Sequence, residues 1–347
     1  MKETMFGICK EKQEPGASYR TDLPVPKIGP NDVLVHVKAT AICGTDHHIM
    51  QWSEWAASRL KLPMVFGHEF AGDIVEVGSA VTEYKIGDRI AGETHIPCNT
   101  CYQCQTDNRH ICENMAIIGV HTAGSFGEYI CVPKDCVYQL PDSISYEIGS
   151  MLEPMGVGVH GVSVAEVKGQ NTLIYGCGPI GLMAVGAAKA LGAAKIIAVD
   201  IFEQKLEIAG KMGADITINS KQSDVLNAVL EATNGVGADV VIDYTGNTKA
   251  ILDGFRAVRK GGKMVLVGLP DQDLTLNLTD NIIYKEATVI GVTGRLMYKT
   301  WKQCEEILAT PGFSLTPTIG GVFPLKDYEK AFEAINQGNP GKMILIP

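Results

Sequence analysis

Six consecutive residues, Cys43-Gly44-Thr45-Asp46-His47-His48, bring a thiol, a hydroxyl, a carboxyl and two imidazoles together. Apart from the glycine, each of these side chains can bind a metal or move a proton. Downstream, Gly67-His68-Glu69-Phe70 offers an imidazole beside a carboxylate, and Leu152-Glu153-Pro154 a further carboxylate. A catalytic zinc needs about three protein ligands and one exchangeable position. Cys43, His68, Glu69 and Glu153 are candidates for such a site, although spacing along the chain does not bring them together. Taken singly, a His-Glu pair also suits a solvated turn, and a cysteine a packed core.

A second set is denser. Cys98, Cys101, Cys104 and Cys112 follow the spacing C-x2-C-x2-C-x7-C within one loop. Four thiolates at about 2.3 Å can close round one tetrahedral zinc and leave no open position, which is the chemistry of a structural site. An iron–sulfur cluster is the rival for three closely spaced cysteines, but the fourth lies far along and no second set follows. Plain reduced cysteines are the remaining alternative. His110, inside the loop, reads as a surface residue.

The third constellation is Gly176-Cys177-Gly178-Pro179-Ile180-Gly181, placed between an apolar run and an Ala-rich stretch. Glycines Gly176, Gly178 and Gly181 in this order permit a tight turn and let a pyrophosphate approach the start of a helix. The next apolar run, KIIAV, ends in Asp200. A carboxylate there can bind ribose hydroxyls and would repel a 2′-phosphate, so the expected cofactor is NAD rather than NADP. Lys205 is the nearest basic residue beyond it. An unliganded glycine-rich turn is the bland alternative.

The elements that must position these groups fall into two patterns. Up to about residue 150, segments such as NDVLVHVKA alternate apolar and polar residues between glycine-containing turns, the mark of an antiparallel, rolled or barrel-like β domain. From NTLIYG onward, short apolar runs alternate with amphipathic Ala-rich stretches, the rhythm of a doubly wound parallel sheet. After about residue 297 that rhythm fades into a terminal segment that pattern alone assigns to neither part.

Bulk properties exclude other classes. The 347 residues suffice for two domains with cores of their own. A net charge of −9 and the absence of a basic stripe argue against nucleic acid as a partner. No apolar run has membrane-spanning length and the first residues lack a secretory hydrophobic region, so a cytoplasmic location is expected. In that compartment the ten cysteines stay reduced.

GHEFAGDIVEVGSAV, the Gly-Asp-Arg turn, the four-cysteine loop and GCGPIG occur in this order along essentially the whole chain. Together they resemble the zinc-containing medium-chain dehydrogenases. Within that group CGTDHHIMQWSEWA, GETHIPC and GVTGRLMYKTW are most similar to segments of the L-threonine 3-dehydrogenases. The resemblance implies an α/β protein with a GroES-like β-barrel catalytic domain, residues 1–153 and 297–347, and an inserted Rossmann domain, residues 154–296. It implies two zinc ions per subunit, one held catalytically by Cys43, His68 and Glu69, the other structurally by the four-cysteine loop. Glu153 becomes a nearby carboxylate, and Thr45 and His48 a proton relay, with His47 a bystander and Asp46 bonding within its turn. Ile180, Asp200, Lys205, Val267, Gly268, Leu269, Val292 and Thr293 match cofactor contacts. His95 is a candidate substrate-shaping residue, or a satisfied structural histidine.

The activity so implied is zinc-dependent oxidation of a secondary alcohol by hydride transfer to NAD. The first substrate choice is L-threonine, giving L-2-amino-3-oxobutanoate, in a homotetramer serving threonine catabolism. Two departures point elsewhere. The residues after Glu153 read PMGVGVHG, where Val157 and Gly158 resemble polyol and butanediol dehydrogenases, and Lys205 replaces an arginine. A diol or polyol is the alternative substrate, and an NAD- and zinc-binding sensor the non-enzymatic one.

Overall fold

Asp32–Ala41 is the central strand of the first half of the molecule. Glu69–Val77 pairs antiparallel along one edge, and Tyr129–Pro133 and Lys342–Ile346 share the other. Arg89–Gly92 and Val137–Gln139 extend the sheet on one side and Ile319–Pro324 on the other, seven strands in all. The pattern foresaw a half-buried strand, yet Leu34, Ala39 and Ala41 are buried along with Val33, Val35 and Val37. The short helix Tyr146–Ser150 packs against this strand and its neighbour Glu69–Val77, so more of the strand is covered than alternation foretold. A three-stranded sheet, Ser18–Pro24, Thr4–Lys10 and Met64–Val65, stands beside a second core of Ile8, Ile42, Ile49, Phe66, Phe126 and Leu345. In this computed structural model residues 2–270 and 272–347 are described, and the chain divides into two units: Met1–Glu153 with Ile319–Pro347, and Pro154–Thr318.

The second unit is a six-stranded parallel sheet in the order Ile216–Asn219, Lys195–Asp200, Asn171–Tyr175, Ala238–Asp243, Val258–Leu266, Thr288–Gly291. Numbered along the chain this is 3-2-1-4-5-6, the doubly wound order whose direction reverses beside the first strand. Helices Pro179–Ala190, Glu203–Met212, Val225–Ala232 and Thr248–Ala257 connect the strands. Val225 and Val229 of the third helix and Ile251, Phe255 and Ala257 of the fourth join Leu173, Ile197, Val199, Val241 and Met264 in one apolar core. Such strands, buried on both faces, read as unbroken apolar runs.

One boundary differs from expectation. The return to the first unit was placed at residue 297, but residues 297–318 belong with the parallel sheet. The helix Lys299–Leu308 buries Trp301, Cys304 and Ile307. Beyond it Phe313 lies against the helix Pro179–Ala190, where a Cβ on Gly186 would come within 2.8 Å of its ring. This apolar anchoring keeps the segment on the second unit until the strand at Ile319.

Candidate active site and cofactor pocket

Cys43 is the N-cap of the helix Gly44–Met50, and its backbone N–H donates to Asp46 Oδ2 at 2.8 Å. That bond is the in-turn role expected of Asp46. The aspartate does more, however. Its Oδ1 lies 3.6 Å from His68 Nδ1, so the same carboxyl that fixes Cys43 faces the imidazole. A carboxylate behind a histidine sets the tautomer and orientation of a metal ligand. Cys43, His68 and Glu69 each present a ligand atom within 4.8 Å of the others.

Glu69 is fully buried and bonded on one side only. Lys342, on the strand that closes the sheet, donates to Glu69 Oε1 at 2.6 Å and to the carbonyl of Ile42 at 3.0 Å. Burial opposes the charge of Lys342, but Glu69, Cys43 and Glu153 outweigh it and hold the ammonium above its ordinary pKa. Burial pushes the Cys43 thiol and the carboxyls of Asp46 and Glu69 upward. The charge of Glu153, itself buried, adds to that at all three. Four acidic groups thus face one lysine and one imidazole. Glu69 Oε2, His68 Nδ1 and Asp46 Oδ1 are buried without a hydrogen bond. Such a cluster lacks positive charge, and its sulfur, nitrogen and oxygen donors suit a divalent transition metal.

Thr45 and His48 are one turn apart on the helix that Cys43 caps, and so share a face. Thr45 Oγ1 is 3.8 Å from Cys43 Sγ, and His48 is exposed with its ring 6.2 Å from that of Trp55. His47 turns away to bond Asn336 at 2.7 Å. The backbone N–H of His95 donates to Glu93 Oε1 at 2.9 Å, and its ring Nδ1 lies 3.7 Å from the same oxygen. The neighbouring carbonyl of Thr94 accepts from Ile118, and Gly119 leaves room for the backbone of Gly67, so His95 is one chain layer from the His68 segment.

The cysteine loop brings its four sulfurs within 4.8 Å of one another. Cys101 Sγ is 3.5 Å from Cys104 Sγ and 3.8 Å from Cys112 Sγ. A tetrahedron with bonds of about 2.3 Å has edges of about 3.8 Å. Backbone N–H groups of Cys98 and Cys101 point at Cys112 Sγ and Cys98 Sγ. The hydroxyl and N–H of Thr100 help to bring the Cys98 thiol down to about 5, whereas burial pushes Cys104 up to about 12. The arrangement can close round one ion.

In the second unit, a cavity of about 450 Å³ opens at the carboxyl ends of the strands. Gly176 turns the chain with φ of 91°, a conformation that favours glycine, and a Cβ on Gly181 would sit 1.8 Å from its carbonyl oxygen. Gly178 caps the helix Pro179–Ala190, and a Cβ there would meet nothing within 4 Å. Gly176, Gly178, Asp200 and Lys205 line the cavity. Gly181 lies beneath the turn, and Ile180 is half-buried in the helix's first turn. Val267, Gly268 and Leu269 follow the fifth strand, and Val292 and Thr293 the sixth, at the same end of the sheet but outside the lining. Sequence reasoning missed Phe202, Ser220, Lys221, Tyr244 and Thr245 on the wall. Most directly follow a strand's carboxyl end, a position that itself marks ligand contacts in this fold.

The VGVHG departure also finds its place. A Cβ on Gly158 would approach Ile180 O at 3.0 Å, and one on Gly161 would approach Tyr244 Oη at 2.5 Å. Tyr244 donates to the carbonyl of Gly158 at 2.8 Å. Both glycines therefore serve close packing on the cofactor unit, where a tyrosine fills the space.

Residues 29–142 match the alcohol dehydrogenase GroES-like domain, and residues 179–310 match the family described as zinc-binding dehydrogenase. The chain belongs to the zinc-containing medium-chain dehydrogenases. An L-threonine 3-dehydrogenase of Caldanaerobacter subterraneus is 44% identical over 99% of this chain and 99% of its own. Among solved structures, a short chain alcohol dehydrogenase of Escherichia coli complexed with NADH superposes with a TM-score of 0.90 at 26% identity, all of both chains being covered. The 2R,3R-butanediol dehydrogenase of Bacillus subtilis gives 0.88 at 28%, covering 99% of each. As a medium-chain dehydrogenase the protein is an NAD(P)-linked oxidoreductase with a GroES-like domain and a Rossmann domain.

Proposed function

We propose that the protein oxidises the 3-hydroxyl of L-threonine to give L-2-amino-3-oxobutanoate, with NAD as hydride acceptor. The observation that carries the substrate is the 44% identity, end to end, with an L-threonine 3-dehydrogenase. The diol alternative has 28% identity with a butanediol dehydrogenase, and of the two residues that suggested it Gly158 has a packing role, lying close against the helix backbone at Ile180 and Ala184.

Cys43, His68 and Glu69 would hold the catalytic zinc, with Glu153 as the adjoining carboxylate. Bound there, the metal supplies Lewis acidity that makes a substrate hydroxyl acidic near neutral pH. Thr45, beside Cys43, and exposed His48 would be the protein's two members of the relay that carries the hydroxyl proton to water, with the cofactor ribose as the third. Bound in the cavity, NAD would supply the acceptor for the hydride of carbon 3, so that the overall reaction gives the ketone, NADH and one released proton. His95, steadied by Glu93, shapes the substrate's surroundings. Cys98, Cys101, Cys104 and Cys112 hold a second, structural zinc.

NAD is preferred to NADP because Asp200 presents a carboxylate to the adenosine ribose. Ile180, Lys205, Val267 to Leu269 and Val292 to Thr293 complete the cofactor contacts. The protein acts in the cytoplasm, in threonine catabolism; none of the ten cysteines is in a disulfide and no helix of the described residues is long and apolar enough to cross a membrane. It assembles as a homotetramer. The edge strand Thr288–Gly291, with Val289, Ile283 and Tyr284 exposed, is a surface a second copy can cover. Zinc-reconstituted protein should release one NADH for each L-threonine consumed; threonine left intact over many enzyme equivalents would overturn the proposal.

A further inference from the structure

The cofactor cavity has basic side chains close to the acid expected at its ribose end. Its wall sets Lys205, Lys221 and Lys249 against Asp200 and Asp253, a positive balance in a chain of net charge −9. Lys205 Nζ and Lys221 Nζ each lie 4.9 Å from the centre of the Phe202 ring, although Lys205 stands in the helix Glu203–Met212 and Lys221 in the loop after the strand Ile216–Asn219. Their ammonium groups are thus at most twice that distance apart. The half-exposed ring attracts both cations, while their mutual repulsion favours an anion placed between them.

Asp200 is less available than its position suggests. Oδ1 accepts the N–H groups of Ile201 and Phe202 at 2.7 and 3.0 Å, and Oδ2 that of Cys177 at 2.7 Å. A carboxylate has about four acceptor positions, so roughly one remains for a ribose hydroxyl. The other hydroxyl must find a different partner, and the lysines on Phe202 are on the same wall.

We infer that Lys205 and Lys221 act as a pair on the adenosine ribose, and that the pair admits a 2′-phosphate there. Asp200 keeps NAD the better ligand, while the lysines limit how far NADP is excluded. This rests on the proposed reading of the cavity as a dinucleotide site. It adds Lys221, which the glycine fingerprint does not contain, as a specificity-determining residue.

The test is equilibrium binding of NADH, NADPH, 5′-AMP and 2′,5′-ADP to the full chain by titration calorimetry. NADPH should bind within about 30-fold of NADH, and 2′,5′-ADP at least as tightly as 5′-AMP. Lys221→Ala should weaken NADPH and 2′,5′-ADP by about 5-fold or more, and NADH and 5′-AMP by a clearly smaller factor, because a lost contact to a charged phosphate costs more than one to a neutral hydroxyl. Lys221→Arg should restore the phosphorylated ligands. Equal effects of Lys221→Ala on both classes, no effect on either, or a thousandfold preference for NADH in the unaltered protein would each overturn the inference. Failure of unaltered protein to bind even NADH would instead remove the dinucleotide reading on which it stands. Circular dichroism of the variants establishes that they are folded.

Discussion

Glu69 is a carboxylate at zero exposure with one oxygen on Lys342 and the other without a hydrogen bond. Leaving a buried acceptor bare costs about 1–3 kcal/mol, more if charged, and such a cost persists where function needs the atom. Removing the lysine should be severe: Lys342→Met strands Glu69 and is expected to lower stability by about 3 kcal/mol or more in urea unfolding. A loss below about 1 kcal/mol would mean that the pair is not the anchor described. Cys43→Ser should lower kcat by more than about 100-fold while NADH affinity stays within about twofold, because its ligand role and the cofactor cavity belong to different units. A parallel loss of NADH binding would contradict that separation, and unchanged turnover would remove Cys43 from the metal site. Cys43, His68 and Glu69 were legible as chemistry-bearing types. Lys342 was not, because a lysine opening an apolar strand near the chain end reads as surface until the sheet places it beside Ile42 and Glu69.

The glycine turn and the helix it caps test their geometry separately. Gly181→Ala puts a methyl group where the carbonyl of Gly176 already stands, so the turn must open, and both stability and NADH binding should fall. Gly178→Ala meets no protein atom. The melting temperature should therefore hold while NADH binding weakens about tenfold, since the added group occupies the approach of the pyrophosphate. Equal damage from the two substitutions would mean that the space above Gly178 is not where the cofactor lies. The parallel sheet was legible because each buried strand is an unbroken apolar run followed by an amphipathic helix. The helix Lys299–Leu308 and Phe313 were given by resemblance to the barrel and lie with the parallel sheet instead: an amphipathic helix states which face it buries, not against which unit. Gly158, which with Val157 pointed to a diol, misled for a related reason. Its place depends on the backbone of Ile180 and on Tyr244, which no local pattern connects to it.

At the scale of the whole molecule, two metal positions should behave differently. A chelator strong enough to strip the site at Cys43 should abolish turnover and leave circular dichroism unchanged, whereas Cys104→Ala should lower the melting temperature by removing a buried sulfur from the closed loop. Replacing Val289 with Lys on the exposed edge strand should shift light-scattering mass toward smaller species, and an unaltered mass would place the subunit contact elsewhere. The most direct test of the enzyme and its substrate together is kcat/KM for NAD-dependent oxidation by the zinc-loaded protein, with L-threonine, 2,3-butanediol and sorbitol compared under one condition. L-threonine should lead by tenfold or more, about 1.4 kcal/mol of transition-state preference. A lead for the diol or the polyol would contradict the threonine assignment and leave only the zinc and NAD chemistry standing.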